Sequence, residues 1–399
     1  MILKVLIIAA EPSGDKLGAN LIDGLNTELK GKAQVVFQGI GGPLMKSRGV
    51  ISLYNFDEFS IMGFFEVGSK VTKILKTIVR LSNYALAWKP DLIITIDSPD
   101  FSLRITKRIK RHFPKVKTIH YVAPSVWAWR GYRAKEMARY VDHVLALLPF
   151  EPYYMKKVGI SCDFVGHPIV AEELPTNQDI RLFRRSLGID RDVPIVSVLP
   201  GSRRSEIVRM MPIYLKALEL LLTQFPNLTL IIASTKNVAG VVANYLKATK
   251  LPIILIDEKD NPLEFEEKKK ILFTTSLAAI ATSGTVTLEL ARMGAPFLVA
   301  YRSSILTEIL LKLFVKLESA TLINILSKKT DVPELLFSRC THKNIYLTLV
   351  SLLTDKYLVQ NQRLTVEKVM KDLGALDLDP KLRAARSTLD FYFSGDQSE

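Results

Sequence analysis

The sequence predicts an α/β protein of two layered domains, each a parallel sheet wrapped by helices, and three observations carry the prediction. Short runs of β-branched and aliphatic residues alternate with longer segments of helical periodicity, the pattern of strands buried on both faces. The runs stop on clusters rich in glycine, proline, serine or aspartate, the residues that turn or break a chain. The alternation lapses in the polar stretch 172–179 and then restarts, so that 399 residues divide into two cores rather than one.

In chain order, residues 3–9 read as the first strand, 17–29 as an amphipathic helix, and 33–38 as a second strand before Gly39-Ile40-Gly41-Gly42. Residues 91–96, 117–121 and 144–148 add strands, with a helix over 101–111 between the first two. The apolar start lacks a charged leader and a cleavage site and runs directly into Glu11, so it reads as a buried strand, not a signal peptide. Beyond the boundary, strands are expected over 195–199, 229–233, 253–256 and 278–281, with a helix over 205–223. Helix-rich 346–373 and 379–392 close the chain, returning to the first domain or reaching a second subunit. The expected division is 1–170, 171–345 and a helical tail, 346–399.

A formal net charge of +14 and a pI of ≈ 9.5 draw the chain toward polyanions: nucleic acid, anionic lipid or phosphorylated metabolites. Arg/Gly repeats, zinc-ligand spacings and an aromatic RNA-binding strand are missing, which ranks nucleic acid below the other two. Cys162 and Cys340 stand alone, as incidental thiols of a reducing compartment do. No apolar run reaches the length that crosses a bilayer, so a cytoplasmic protein is expected.

Parallel sheets bind ligands beyond the carboxyl ends of their strands, so the residues after each run are the functional candidates. After 195–199 come Pro200, Gly201, Ser202 and Arg203. Small residues let a ligand approach the backbone, a following helix offers free N–H groups, and Arg203 adds a forked cation suited to phosphate. An ordinary strand-to-helix turn with a surface arginine accounts for the same residues. Thr282-Ser283-Gly284-Thr285 repeats the device. Glu289, about one and a half turns on at ~3.6 residues per turn, stands within reach of ribose hydroxyls, although Ser283 would equally cap its helix. Two such turns with Arg203 point to a diphosphate.

Ser13 and Gly14, after the first strand, are a weaker anion site, and a cap by Ser13 or Asp15 explains them as well. Asp97 and Asp100 flank a proline turn: one is a candidate general base and the other a helix cap, or both are caps. The segment 120–130 gathers two of the three tryptophans with His120 and Arg130, either lining a sugar or acyl site or packing helix on sheet. His120 reads as a core histidine and His167 as a hinge or packing residue. From 64 to 80, Phe64, Val67, Val71, Ile74, Leu75 and Ile78 recur at helical spacing, with Lys70, Lys73, Lys76 and Arg80 on the remaining surface. A helix lying in a membrane interface has this profile, with its cations toward anionic headgroups. A core-facing helix with a solvated basic face has it too.

The ordered set Glu11-Pro12-Ser13-Gly14-Asp15, Gly39-Ile40-Gly41-Gly42, Met62-Gly63-Phe64-Phe65-Glu66-Val67, Asp97-Ser98-Pro99-Asp100-Phe101, Ser125-Val126-Trp127-Ala128-Trp129-Arg130, Val165-Gly166-His167-Pro168, Leu199-Pro200-Gly201-Ser202-Arg203 and Ser283-Gly284-Thr285 resembles the lipid A disaccharide synthase family. The resemblance implies two Rossmann-like domains facing a central cleft, of GT-B type, the first taking the acceptor and the membrane and the second the UDP-sugar. It implies an inverting transfer, without cofactor or metal, of 2,3-diacylglucosamine from its UDP derivative to 2,3-diacylglucosamine 1-phosphate (lipid X). The products are the β(1→6) disaccharide 1-phosphate and UDP, formed at the cytoplasmic face of a Gram-negative inner membrane by a peripheral enzyme that does not bind nucleic acid; a homodimer is left open.

By position, Asp97 matches the family's candidate base with Asp100 next in line, Arg203 its nucleotide-binding arginine, and Asn324 a polar site residue. Ser13, Gly14, Gly201, Ser202, Ser283, Gly284, Thr285 and Glu289 complete the substrate-binding set. Phe64, Phe65, Val67, Lys70, Val71, Lys73, Ile74 and Leu75 form the membrane-binding one. Ser102 stands where Asn is usual, and Phe337 where Gln is expected. The rivals are a UDP-sugar epimerase of the same fold, a non-catalytic nucleotide-binding peripheral protein and an RNA binder.

Overall fold

The computed structural model describes residues 2–54, 56, 71–127, 131–258, 261–303 and 319–394, and the chain forms two compact units, 1–171 with 372–399, and 172–371. The first contains β1 (Ile2–Ala9), α1 (Pro12–Glu28), β2 (Gln34–Ile40), α2 (Pro43–Lys46), β3 (Ile51–Ser52), α3 (Val71–Trp88), β4 (Leu92–Ile96), α4 (Pro99–His112), β5 (Lys117–Tyr121), α5 (Tyr132–Met137), β6 (His143–Ala146), α6 (Glu151–Lys156) and β7 (Ser161–Phe164). The second contains α7 (Asn177–Ser186), β8 (Ile195–Leu199), α8 (Arg204–Gln224), β9 (Thr229–Ser234), α9 (Lys236–Lys247), β10 (Ile253–Asp257), α10 (Pro262–Thr275), β11 (Ser276–Ala281), α11 (Val286–Arg292), β12 (Phe297–Tyr301), α12 (Leu322–Ser327), β13 (Glu334–Leu336), α13 (His342–Thr354) and α14 (Lys356–Asp372). A last helix, α15 (Pro380–Phe393), belongs to the first unit.

Each unit is one parallel sheet, ordered β3-β2-β1-β4-β5-β6-β7 in the first and β10-β9-β8-β11-β12-β13 in the second. Central strands such as β4 and β8 are buried at every residue because helices cover both faces. In the first unit Val5, Ile7 and Ile94 pack with Leu21 and Ile22 of α1 and Ala384 and Ala385 of α15. On the opposite face Leu6, Ile8 and Ile93 pack with Ile78 and Leu81 of α3 and Phe101 and Ile105 of α4. The strands that the sequence did not announce are β3, β7, β12 and β13. Two are very short, and β7 alternates exposed Ser161 and Asp163 with buried Cys162, so it lacks a continuous apolar run.

Two expectations change. The helix expected over 64–80 is described from Val71 and continues to Trp88, with Ile78, Leu81 and Ala85 in the core and Ile74 packed against the same cluster. Ile74 therefore faces protein, whereas Leu75 and Val79 are 43% and 39% exposed. Phe64, Phe65, Val67 and Lys70 lie outside the described residues, as do the side chains of Val71 and Lys73. The closing helices, expected as one tail, divide: Ile345, Leu349 and Leu352 of α13 join the core of the second unit, and α15 lies on α1. There a Cβ on Gly24 would sit 2.3 Å from the Lys381 carbonyl oxygen, so only glycine admits the contact. Among the described residues no helix is long and apolar enough to cross a membrane.

Neither Ser13 nor Asp15 caps α1, which starts after Glu11 without a side-chain cap. Asp15 is buried and turns to α2 instead, where its carboxylate accepts the N–H groups of Gly42 (2.8 Å), Leu44 (2.9 Å) and Met45 (3.0 Å). The helix N-terminus that would attract an anion there holds one from the chain itself. Asp15→Ala strands these donors and is expected to cost about 3 kcal/mol of stability, read from chemical denaturation midpoints.

Candidate functional site

Both sheets reverse their strand order once. The chain steps outward from β1 to β3 and returns to place β4 beside β1; it steps from β8 to β10 and returns to place β11 beside β8. Connections that leave neighbouring strands in opposite directions open a crevice beyond their carboxyl ends. Register carries the β1–β4 pairing to Ala9 and Ile96, and the β8–β11 pairing to Leu199 and Ala281. Glu11 and Asp97 therefore emerge from neighbouring strands in the first unit, and Gly201 and Ser283 from neighbouring strands in the second.

In the second unit these turns line a groove of ≈ 340 Å³ with Arg203, Glu206, Lys269 and Glu289. Gly201 (φ +108°) and Gly284 (φ +146°) occupy backbone conformations that side chains resist. The N–H groups expected to be free after β8 are not. Glu206, buried at the start of α8, accepts from Ser202 N–H (3.2 Å) and Arg203 N–H (3.3 Å), and its other oxygen takes Arg203 Nη1–H at 2.8 Å. The Arg203 side chain nevertheless remains 74% exposed. Ser283 does not cap α11: its hydroxyl donates to the Ala320 carbonyl at 2.9 Å. Thr285 lines the groove, and Glu289 reaches it while paired to Lys269 at 2.9 Å.

Asn324 is placed differently from expectation. It is buried, its amide donates to the Val332 carbonyl (2.8 Å) and Glu334 (2.9 Å), and its oxygen accepts Val332 N–H at 3.1 Å. Glu334 in turn accepts from Ala320 N–H and from Thr321 N–H and Oγ1. The Asn324 amide thus orders the segment on which Ser283 rests. Glu206, Lys269 and Glu334 were not singled out from sequence; only Glu206 carried a local signal, an acid three residues after the residue that opens a helix.

In the first unit Asp97 (φ +50°) and Ser98 (φ +45°) are consecutive left-handed residues, a strained pair for side chains of this kind. Hydrogen bonds hold it. Asp97 N–H donates to Tyr121 O (2.9 Å), Ser102 Oγ donates to Asp97 O (2.8 Å), and Ser98 N–H donates to Asp97 Oδ1 (2.7 Å). Ser98 Oγ donates to Glu11 Oε1 at 2.8 Å, which brings in the second carboxylate. Burial raises the Asp97 pKa above the ordinary range; the Ser98 N–H opposes this and the charge of Glu11 adds to it. Asp100 is engaged elsewhere, with Arg133 Nη2 at 3.0 and 3.3 Å from its two oxygens. Gly14 packs α1 on the sheet, where a Cβ would meet Ala9 Cβ at 3.3 Å, and Ser13 is exposed beside it.

The remaining candidates are structural. His120 is buried with Nδ1 at 2.8 Å from Thr95 Oγ1, and burial pushes its pKa down to about 4, as it does for His167. Trp127 Nε1–H donates to Glu151 at 3.3 Å, and residues 128–130 lie outside the described ones. Burial pushes the Cys162 thiol up to about 12 and Cys340 up to about 11, away from thiolate chemistry.

Comparison with known proteins gives this geometry a family. A family model described as Lipid-A-disaccharide synthetase matches residues 5–383. The chain belongs to the lipid-A-disaccharide synthase family. A protein of that name from Ruegeria pomeroyi is 41% identical over 390 residues, covering 98% of this chain and 95% of that protein. One from Rhodospirillum centenum is 38% identical over 388 residues, covering 97% and 94%. Among solved structures, the S. aureus MnaA–UDP complex aligns at a TM-score of 0.64 and 16% identity, over 99% of this chain and 97% of that one. At that identity the likeness is one of fold, the two-sheet GT-B architecture. Membership of the lipid-A-disaccharide synthase family sets aside the epimerase, binding-protein and RNA-binding alternatives.

The contact between Ser98 and Glu11 has a measurable consequence. Glu11→Gln removes a negative charge from the field of Asp97, so the Asp97 carboxyl should titrate at lower pH than in the native chain, an effect weakened by the exposure and screening of Glu11. Its ¹³C chemical shift followed against pH checks this, and an unmoved titration places Glu11 outside that field.

Proposed function

We propose that this chain performs the family's disaccharide-forming transfer with Asp97 as general base and the Gly201 and Ser283 turns as the UDP site. The observation that carries the reading is the pairing of roles with switch points: a half-buried carboxylate at one, two glycine turns around an arginine at the other. Asp97 takes the proton of the acceptor's 6-hydroxyl as that oxygen attacks the anomeric carbon of the donor, inverting it, and UDP departs. A raised pKa suits this work, since the proton must be held once the bond has formed. Asp100 is the weaker candidate because Arg133 already occupies both of its oxygens.

On the donor side Arg203 and the backbone N–H groups of the turns offset the charge that develops on the leaving diphosphate, and Glu289 accepts ribose hydroxyls. Glu206 now holds Ser202 N–H, Arg203 N–H and the Arg203 guanidinium as a resident anion, and a diphosphate oxygen would take these donors over from it. Acyl chains that stay in a bilayer call for a surface that reaches it. Leu75 and Val79 are exposed on α3 with Lys76 and Arg80 beside them, as a peripheral contact with an anionic cytoplasmic leaflet requires.

Asp97→Asn is expected to lower turnover by ~10²–10⁴-fold while UDP still binds. Radiolabelled product resolved by thin-layer chromatography and calorimetry with UDP read the two effects, and near-native turnover would remove Asp97 from the role. For the membrane face, serine at Phe65, Val71 and Leu75 together should reduce co-sedimentation with phosphatidylglycerol vesicles without altering UDP affinity; unreduced co-sedimentation counts against that face.

A further inference from the structure

Lys269 belongs to the run Lys268-Lys269-Lys270 on α10, which in sequence resembles a solvated basic face. The fold separates the three. Lys268 pairs with Glu264 at the surface (2.6 Å), and Lys270 turns to Glu172 (2.9 Å) and Glu267 (3.0 Å). Lys269 points into the groove wall, with its side chain only 14% exposed. Its Nζ lies 2.8 Å from Glu266 Oε2, 2.9 Å from Glu289 Oε2 and 5.8 Å from the centre of the Phe265 ring. Burial works to lower the Lys269 pKa, but Glu289 and Glu266 more than offset it, so the ammonium keeps its proton.

A surface ion pair would leave Glu289 free to rotate, and a flexible carboxylate loses affinity when a ligand immobilises it. Here one oxygen of Glu289 is tied to an enclosed cation, and the carboxylate is held on the groove wall. We propose that Lys269 is a positioning residue for the nucleoside part of the donor, fixing Glu289 so that its carboxylate accepts the cis-diol of a ribose in a nucleoside diphosphate. The assignment rests on the reading that this groove holds UDP. It gives the groove a direction: Arg203 takes the phosphates, and Glu289, whose partner Lys269 is shared with Glu266 and leaves no surplus positive charge to attract phosphate, takes the neutral diol.

Inhibition constants of UDP and 2′,3′-dideoxy-UDP test it. Two hydrogen bonds to the Glu289 carboxyl should make UDP at least about tenfold tighter in the native enzyme. Lys269→Met keeps the unbranched stem over Phe265 and should bring that ratio to within about threefold of unity, raising KM for the donor far more than it lowers kcat. Lys269→Arg keeps the charge and should retain the preference. Glu266→Gln, at the outer partner, leaves the Lys269–Glu289 pair and should also retain it, which keeps the test open if Lys269→Met does not fold. A native preference that survives Lys269→Met, or one lost equally in Glu266→Gln, overturns the assignment of Lys269. A native enzyme that binds both nucleotides alike overturns the placement of Glu289 at the ribose, and the Lys269 assignment with it.

Discussion

The parallel pairing of β1 with β4 and of β8 with β11 is the constraint on which the other features depend. At those two rungs the chain leaves adjacent strands in opposite directions, and in the first unit α1 and α4 accordingly lie on opposite faces of the sheet. A strand end at such a rung cannot be closed over by its own helix. The backbone must turn sharply within two or three residues, which explains Gly201, Gly284 and the left-handed Asp97-Ser98 pair at these positions.

A second theme is how a chain of formal charge +14 uses its acids. Asp15, Glu151, Glu206 and Glu334 each aim a carboxylate at backbone N–H groups of a turn contributed by the same or another element. Each supplies acceptors, in buried or partly buried surroundings, where a tight turn leaves donors unpaired. The cost is visible at Glu151, whose pKa burial drives up to about 7 against the hydrogen bonds of Leu148, Trp127 and Leu147. Turns that look generic in sequence are thereby fixed by side chains several residues to dozens of residues away.

That distance accounts for what the sequence disclosed. Strands buried on both faces write a continuous apolar run, so most central strands were legible, although β12, a run of the same kind, was passed over, and short or half-exposed β3, β7 and β13 left no such run. Turn residues announce themselves by type, so Asp97, Gly201, Arg203 and Ser283 could be picked out one by one. Their partners could not: Glu11 meets Ser98 across 87 positions and Lys269 meets Glu289 across helices, and no local pattern encodes either. Asn324 shows the converse, a polar residue whose amide is hydrogen-bonded inside the protein, which no local pattern announces. Ile74 shows that amphipathic spacing alone leaves open whether an apolar face meets lipid or core.

If the turn after β8 holds the nucleotide as proposed, Glu206 bears on turnover as well as on shape. Because its carboxylate satisfies Ser202 and Arg203, the turn is ordered with no ligand present, and the entropy of arranging it is met during folding. On the proposed donor reading, a diphosphate entering there would exchange one anion for another, so its net affinity would be the difference between two sets of hydrogen bonds. The same exchange runs in reverse when the sugar has gone. On the proposed reading, a resident carboxylate ready to retake the donors would lower the barrier to release of the spent nucleotide and keep recognition of the diphosphate from becoming product inhibition.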